Sequence, residues 1–128
     1  MAEGWATFLH GERITACSAG LTPQGLNPLA VRAMDEVDID IRRQRSKSLD
    51  EFDLASLDLV VTVCSGAHET CPVLRSSVRV IHQPFDDPPH LAKSAHDERD
   101  AFRHYRRVRD EIGEFVRGLD RFLGNVDA

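Results

Sequence analysis

The chain has 128 residues, 41% of them hydrophobic and 29% charged, the balance of one soluble globular domain rather than of a disordered tail. Sixteen Lys and Arg against twenty-one Asp and Glu give a net charge of −5, which argues against nucleic acid or an anionic membrane as the main partner and leaves small molecules and proteins. No apolar run is long enough to span a bilayer and residues 1–5 do not open a secretory signal, so a cytoplasmic protein is expected.

Apolar periodicity switches between helical and strand-like several times, which predicts one alternating α/β domain over residues 1–128. Trp5, Phe8 and Leu9 at helical spacing predict a helix over Ala2 to Leu9. Ile14 to Ala19 reads as a short strand, closed by Gly20, with Cys17 as a core side chain. Asn27-Pro28 opens a helix to about Val37, with Asn as N-cap and Pro in the first turn. Ser48 and Glu51 form a capping box for a short helix ending near Leu54. Leu57 to Val63 follows as a parallel strand whose run Leu59-Val60-Val61 suits burial on both faces. Val78 to His82 is a second strand, Gln83 to Pro89 a proline-rich loop, and residues from about Ala95 to Leu123 a long helix ended by Gly124. In that helix Arg103, Arg106, Arg107 and Arg109 read as a solvated face, with Asp110 and Glu111 at pairing distance from Arg106 and Arg107.

The chemistry is densest where a strand ends in Cys64 and a second thiol, Cys71, follows seven residues later. Ligands and catalytic groups of open parallel sheets collect at that edge. The intervening Ser-Gly-Ala-His-Glu-Thr is polar, so it can loop out and let the two sulfurs meet as a reversible dithiol. Two packed thiols, or a metal held by Cys64, His68 and Cys71, are the other readings; a closed zinc site wants four ligands and only three lie close in sequence. His68 is also placed to lower the pKa of a nearby thiol. Asp86-Asp87-Pro88 reads either as ordinary turn chemistry or as a carboxyl group held by a rigid loop for general-acid work.

These pieces together resemble the thioredoxin-coupled arsenate reductases, which share the fold of the low-molecular-weight protein tyrosine phosphatases. The resemblance runs along nearly the whole chain. It rests on residues 1–5, Ser18-Ala19-Gly20, Asn27-Pro28 through Met34, Gln44 to Lys47, Val63-Cys64 with Cys71-Pro72, Phe85 to Pro88, and Arg107 to Ile112. It implies a three-layer α/β sandwich with a parallel sheet, arsenate as substrate, thioredoxin as reductant, a monomer, and no cofactor or metal. It also implies roles: a cysteine in an anion loop attacks arsenate, Cys64 attacks the adduct, Cys71 attacks Cys64, and Asp87 is the general acid. Some family members hold a monovalent cation near the residues matching Glu3 and Ser18, and Lys47 stands where those members place an acidic ligand. No ion is expected here.

The departure is the anion loop itself, which follows the pattern Cys, any five residues, Arg. Six residues after Cys17, Cys64 and Cys71 stand Pro23, Thr70 and Ser77. In the family the loop lies just before the segment matching residues 1–5, so the expectation is a domain lacking its first, central strand and this loop, roughly fifteen to twenty residues by their usual sizes. The chain as given is then expected not to reduce arsenate by itself. Two alternatives stand beside this reading: a phosphatase of the same fold, and a non-catalytic protein that binds trivalent arsenic or exchanges disulfides.

Overall fold

The computed structural model describes residues 1–18, 27–44, 56–63, 79–119 and 121. Helix α1 (Ala2–His10) is followed by α2 (Pro28–Asp35), strand β1 (Leu59–Thr62), strand β2 (Arg79–His82), the short α3 (Pro88–Ala92) and the long α4 (Glu98–Arg117). The strands pair in parallel, Leu59 opposite Arg79 through Thr62 opposite His82, as an alternating α/β chain requires. The capping box at Ser48 and Glu51 lies outside the described residues, as do Val78 and Gly20.

Local sequence explains most boundaries. The Asn27 side-chain oxygen accepts from the backbone N–H groups of Leu29 (2.9 Å) and Ala30 (3.4 Å), and Pro28 fills the first helical position where no partner is needed. The expected end near Val37 is a tightened last turn rather than regular helix. There Ile39 N donates to Met34 O and Asp38 N to Asp35 O, with Asp38 left-handed at φ 63°. That is a Schellman closure with Asp in the place usually taken by Gly. It turns the chain so that Ile39 and Ile41 are buried while Asp38 and Asp40 face out.

Helix α4 starts later and stops earlier than its apolar stripe suggests. Asp97 caps it by accepting from Asp100 N (2.8 Å), while the Asp100 carboxylate accepts from His96 N (3.1 Å), a reciprocal arrangement that fixes the first turn. Regular helix gives way at Gly118, while Leu123 and Gly124, where the stripe is expected to end, lie outside the described residues. The loop expected over Gln83 to Pro89 is shorter too, because Pro88 and Pro89 are the first two residues of α3.

Helix α4 is the hub on which α1, α2 and α3 pack. One buried cluster joins Trp5 and Ala6 of α1, Met34 of α2, Ile39, Ile41, and Val108, Ile112 and Val116 of α4. A second joins Ala33, Phe102 and Tyr105. Trp5 lies flat on α4 at Gly113, where a Cβ would sit 2.7 Å from the indole, and its Nε1–H donates to the Arg109 carbonyl (3.0 Å). Arg109 is itself buried, contrary to the solvated face expected for the arginine cluster: its guanidinium donates to Ala33 O (2.9 Å), Glu36 (2.8 Å) and Asp110 (2.8 Å). Arg106 pairs with Glu36 rather than with Asp110 or Glu111, whereas Arg107 does pair with Glu111.

Two further expectations are corrected. No strand forms over Ile14 to Ser18, because among the described residues no neighbouring strand pairs with it; alternation then has no sheet to act on, and Cys17 is exposed instead of packed in the core. Strand β1 is half-buried along its length rather than enclosed, Val63 and Val80 are exposed, and neither buried cluster takes a side chain from β1 or β2.

Candidate active site at the carboxyl edge of the sheet

Parallel strands deliver their C-terminal ends to one edge, and the two described strands deliver different chemistry there. Strand β1 ends at Thr62, after which the sequence runs through Val63 directly into Cys64. Strand β2 runs on into Gln83-Pro84-Phe85-Asp86-Asp87. Cys64, Cys71 and His68 lie outside the described residues, as does Lys47; Asp87 is placed.

Backbone hydrogen bonds carry the sheet past its regular end. Gln83 N donates to Thr62 O (2.8 Å) and Phe85 N to Val63 O (3.1 Å), so the segment leading to Asp87 is laced to the residue that precedes Cys64. Beside this lacing, Thr62 Oγ1 and His82 Nδ1 lie 2.7 Å apart. Phe85 turns inward against the core and meets Phe115 of α4 edge-on, with ring centroids 5.9 Å apart. Asp86 points the other way, to the surface, where it accepts from Arg107 Nη2 (3.0 Å); the second guanidinium nitrogen, Nη1, donates to Glu111 (2.9 Å). These two bonds hold the Arg107 charge firmly in place and raise its pKa.

Asp87 stands at the N-cap position of α3, its backbone carbonyl accepting from Leu91 N (3.1 Å). Its side chain makes no cap hydrogen bond. Prolines at the next two positions remove two of the N–H groups that an N-cap carboxylate could otherwise take up. The half-buried carboxyl group is left uncommitted to the helix it begins. Across from it, Tyr105 on α4 has its hydroxyl pKa raised, first by burial and further by the Asp87 charge, against the opposing effect of the hydrogen bond from Asn27. Asn27 Nδ2 donates to that hydroxyl (2.9 Å), an orientation fixed by the capping bonds that its Oδ1 makes.

Local sequence marks Asp87 but not its frame. The Arg107–Asp86 and Asn27–Tyr105 contacts are invisible in local spacing, because both join residues distant in sequence. Elsewhere, Ser18 Oγ donates to Glu3 of α1 (2.7 Å). Among the described residues no group of three or more His, Cys, Asp or Glu side chains is arranged to hold a metal ion. Nor is any helix of the described residues long and apolar enough to cross a membrane. What the edge offers chemically is a carboxyl group on a braced turn, hydrogen-bonded through its backbone neighbours to the strand that precedes a thiol.

Comparison with known proteins places this geometry. Residues 1–126 match the family described as low molecular weight phosphotyrosine protein phosphatase. Over 117 residues the chain is 44% identical to arsenate reductase 2 of Staphylococcus saprophyticus, which covers 91% of this chain and 82% of the relative. Over 113 residues it is 47% identical to the arsenate reductase of Bacillus subtilis, covering 88% and 79%. Among solved structures, the arsenate reductase of Archaeoglobus fulgidus superposes with a TM-score of 0.73 at 28% identity, covering 92% of this chain and 86% of the other.

Proposed function

This chain belongs to the low molecular weight phosphotyrosine protein phosphatase family, with the arsenate reductases of that fold, and on that premise we propose how it reduces arsenate to arsenite. A thiolate of a Cys-x5-Arg anion loop, a pattern that residues 1–128 do not contain, attacks arsenate and forms a sulfur–arsenic bond. Asp87 protonates the departing oxygen, which leaves as water. The Cys64 thiolate then attacks that first sulfur. The electron pair of the sulfur–arsenic bond stays on arsenic, which falls from the pentavalent to the trivalent state and departs as arsenite. Cys71 next attacks Cys64, freeing the first cysteine and leaving a Cys64–Cys71 disulfide for thioredoxin to reduce by thiol exchange. In this reading residues 1–128 act within a single cytoplasmic, monomeric domain.

The observation that carries it is the 44–47% identity to arsenate reductases along about nine tenths of the chain. Two physical features support the residue assignments. Cys64 follows a strand end in sequence, and the backbone leading to Asp87 is hydrogen-bonded to that same end. Asp87 is also not consumed as a helix cap.

The test is an assay of arsenite formation coupled to thioredoxin, run on residues 1–128 alone and on a longer form in which residues 1–128 are joined behind a Cys-x5-Arg segment taken from an arsenate reductase relative. Turnover is expected only for the longer form. Cys64→Ser should form no arsenite. Cys71→Ser should form about one equivalent per chain and then stop, since it can complete one reduction but cannot present a disulfide to thioredoxin. Sustained turnover by Cys71→Ser, or phosphotyrosine hydrolysis without arsenite formation in the longer form, would refute the proposal.

A further inference from the structure

The residues leading up to Asp87 are pinned one after another, by the end of β1 on one side and by α4 on the other. Gln83 and Phe85 are held by β1 through their backbones, Phe85 is held by Phe115 through its ring, and Asp86 is held by Arg107 through its carboxylate. Only the last of these pins is a side-chain contact made outside the core, and it acts on the residue next to Asp87. Arg107 is suited to it because one guanidinium nitrogen is anchored to Glu111, a turn further along α4, while the other reaches Asp86.

We infer that Arg107 is a positioning residue for the Asp87 carboxyl group: by bridging Glu111 on α4 to Asp86 in the loop, it fixes the backbone from which Asp87 projects at the carboxyl edge of the sheet. The inference rests on the reading of Asp87 as general acid and adds the device that aims it. The ion pair is exposed, 42% at Arg107 and 60% at Asp86, so it contributes little to global stability and its effect is on geometry. A displaced general acid loses rate rather than substrate affinity, because proton transfer demands hydrogen-bond reach in the transition state.

Arg107→Met and Arg107→Lys are compared with the natural residue and with Arg117→Met, a control on an exposed pair with Glu114 in the last turn of the same helix. In the 128-residue chain, amide exchange at residues 85–87 is expected to speed up about tenfold in Arg107→Met, with the melting temperature almost unchanged. In the longer form joined to a relative's anion-loop segment, kcat for arsenate should fall about tenfold while KM stays within about twofold. Arg107→Lys, which keeps the charge but cannot bridge both carboxylates at once, should fall between. Arg117→Met should match the natural chain. Wild-type exchange and wild-type kcat in Arg107→Met would overturn the inference. So would faster exchange without a change in kcat, provided Asp87→Asn is impaired. If Asp87→Asn itself retains full kcat, the general-acid reading fails, and the exchange measurement still decides whether Arg107 holds the loop.

Discussion

Glu36 shows how much one exposed carboxylate can organise. It receives hydrogen bonds from Arg106 at 2.6 Å and 2.9 Å and from the buried Arg109 at 2.8 Å, and the Arg106 bond, ahead of the Arg109 bond, lowers its pKa to about 2 against partial desolvation. A depressed carboxylate stabilises the folded state above its ordinary pKa of 4.5, and that contribution is lost as pH falls from there toward 2. Glu36→Gln is therefore expected to melt at a lower temperature than the natural chain at pH 7, with the gap closing between about pH 4.5 and 2; thermal melts across that range check it. A gap that stays constant down to pH 2 would show that the charge of Glu36 is not what matters. Asn27 separates two roles in the same way. Asn27→Asp keeps the capping oxygen and loses the N–H that reaches Tyr105, whereas Asn27→Ala loses both and should cost about 1 kcal/mol more of unfolding free energy, the usual worth of an N-cap. Equal denaturation midpoints for the two variants would mean the cap contributes nothing.

Between elements, Trp5 of α1 sits close on Gly113 of α4. A methyl group there would sit 2.7 Å from the indole, which lies over α4 and is tethered by its hydrogen bond to Arg109 O. Helix propensity favours Ala over Gly, but a rigid buried ring cannot yield, so Gly113→Ala is expected to destabilise by about 1–3 kcal/mol, measured by urea unfolding. At the end of α2 the opposite holds: Asp38 is left-handed and exposed, and Asp38→Gly should stabilise by about 0.5–1 kcal/mol in the same assay. Where the sequence could be read at this scale, the signal was local. The Asn27-Pro28 start of α2 and the apolar stripe of α4 appear as expected, because caps and 3.6-residue spacing act within one element. The misread parts needed partners. Ile14 to Ser18 has strand-like residues but no paired strand among the described residues, and Ile39 and Ile41 are buried by the left-handed turn at Asp38, which carries no glycine to signal it. Arg109 looked like its exposed neighbours because burial of a charge depends on Ala33 and Glu36, more than seventy residues away.

At the scale of the molecule, the thiol pair and the acid were legible as residue types at a strand end, and the frame that holds Asp87 was not. The Cys64–Cys71 spacing needed only the sequence to suggest redox chemistry. The Arg107–Asp86 bridge needed α4 to return across the end of β2, a fact of topology. The proposed disulfide makes a direct prediction: mild oxidation of residues 1–128 followed by peptide mapping should find Cys64 joined to Cys71, with Cys17 left as a thiol although it is exposed. Cys17 as the main disulfide partner would contradict it.

The indole of Trp5 and the carbonyl it bonds lie 104 residues apart, at opposite ends of the polypeptide. During synthesis the first helix leaves the ribosome long before its docking site on α4 exists, an interval of roughly five to twenty seconds at ordinary elongation speeds. For that time its apolar face has only Met34, Ile39 and Ile41 to meet, and the α4 side of the cluster is absent. Release from the ribosome, rather than emergence of α1, is therefore the moment at which this cluster closes, and until then chaperone traffic has a partly shielded tryptophan to find.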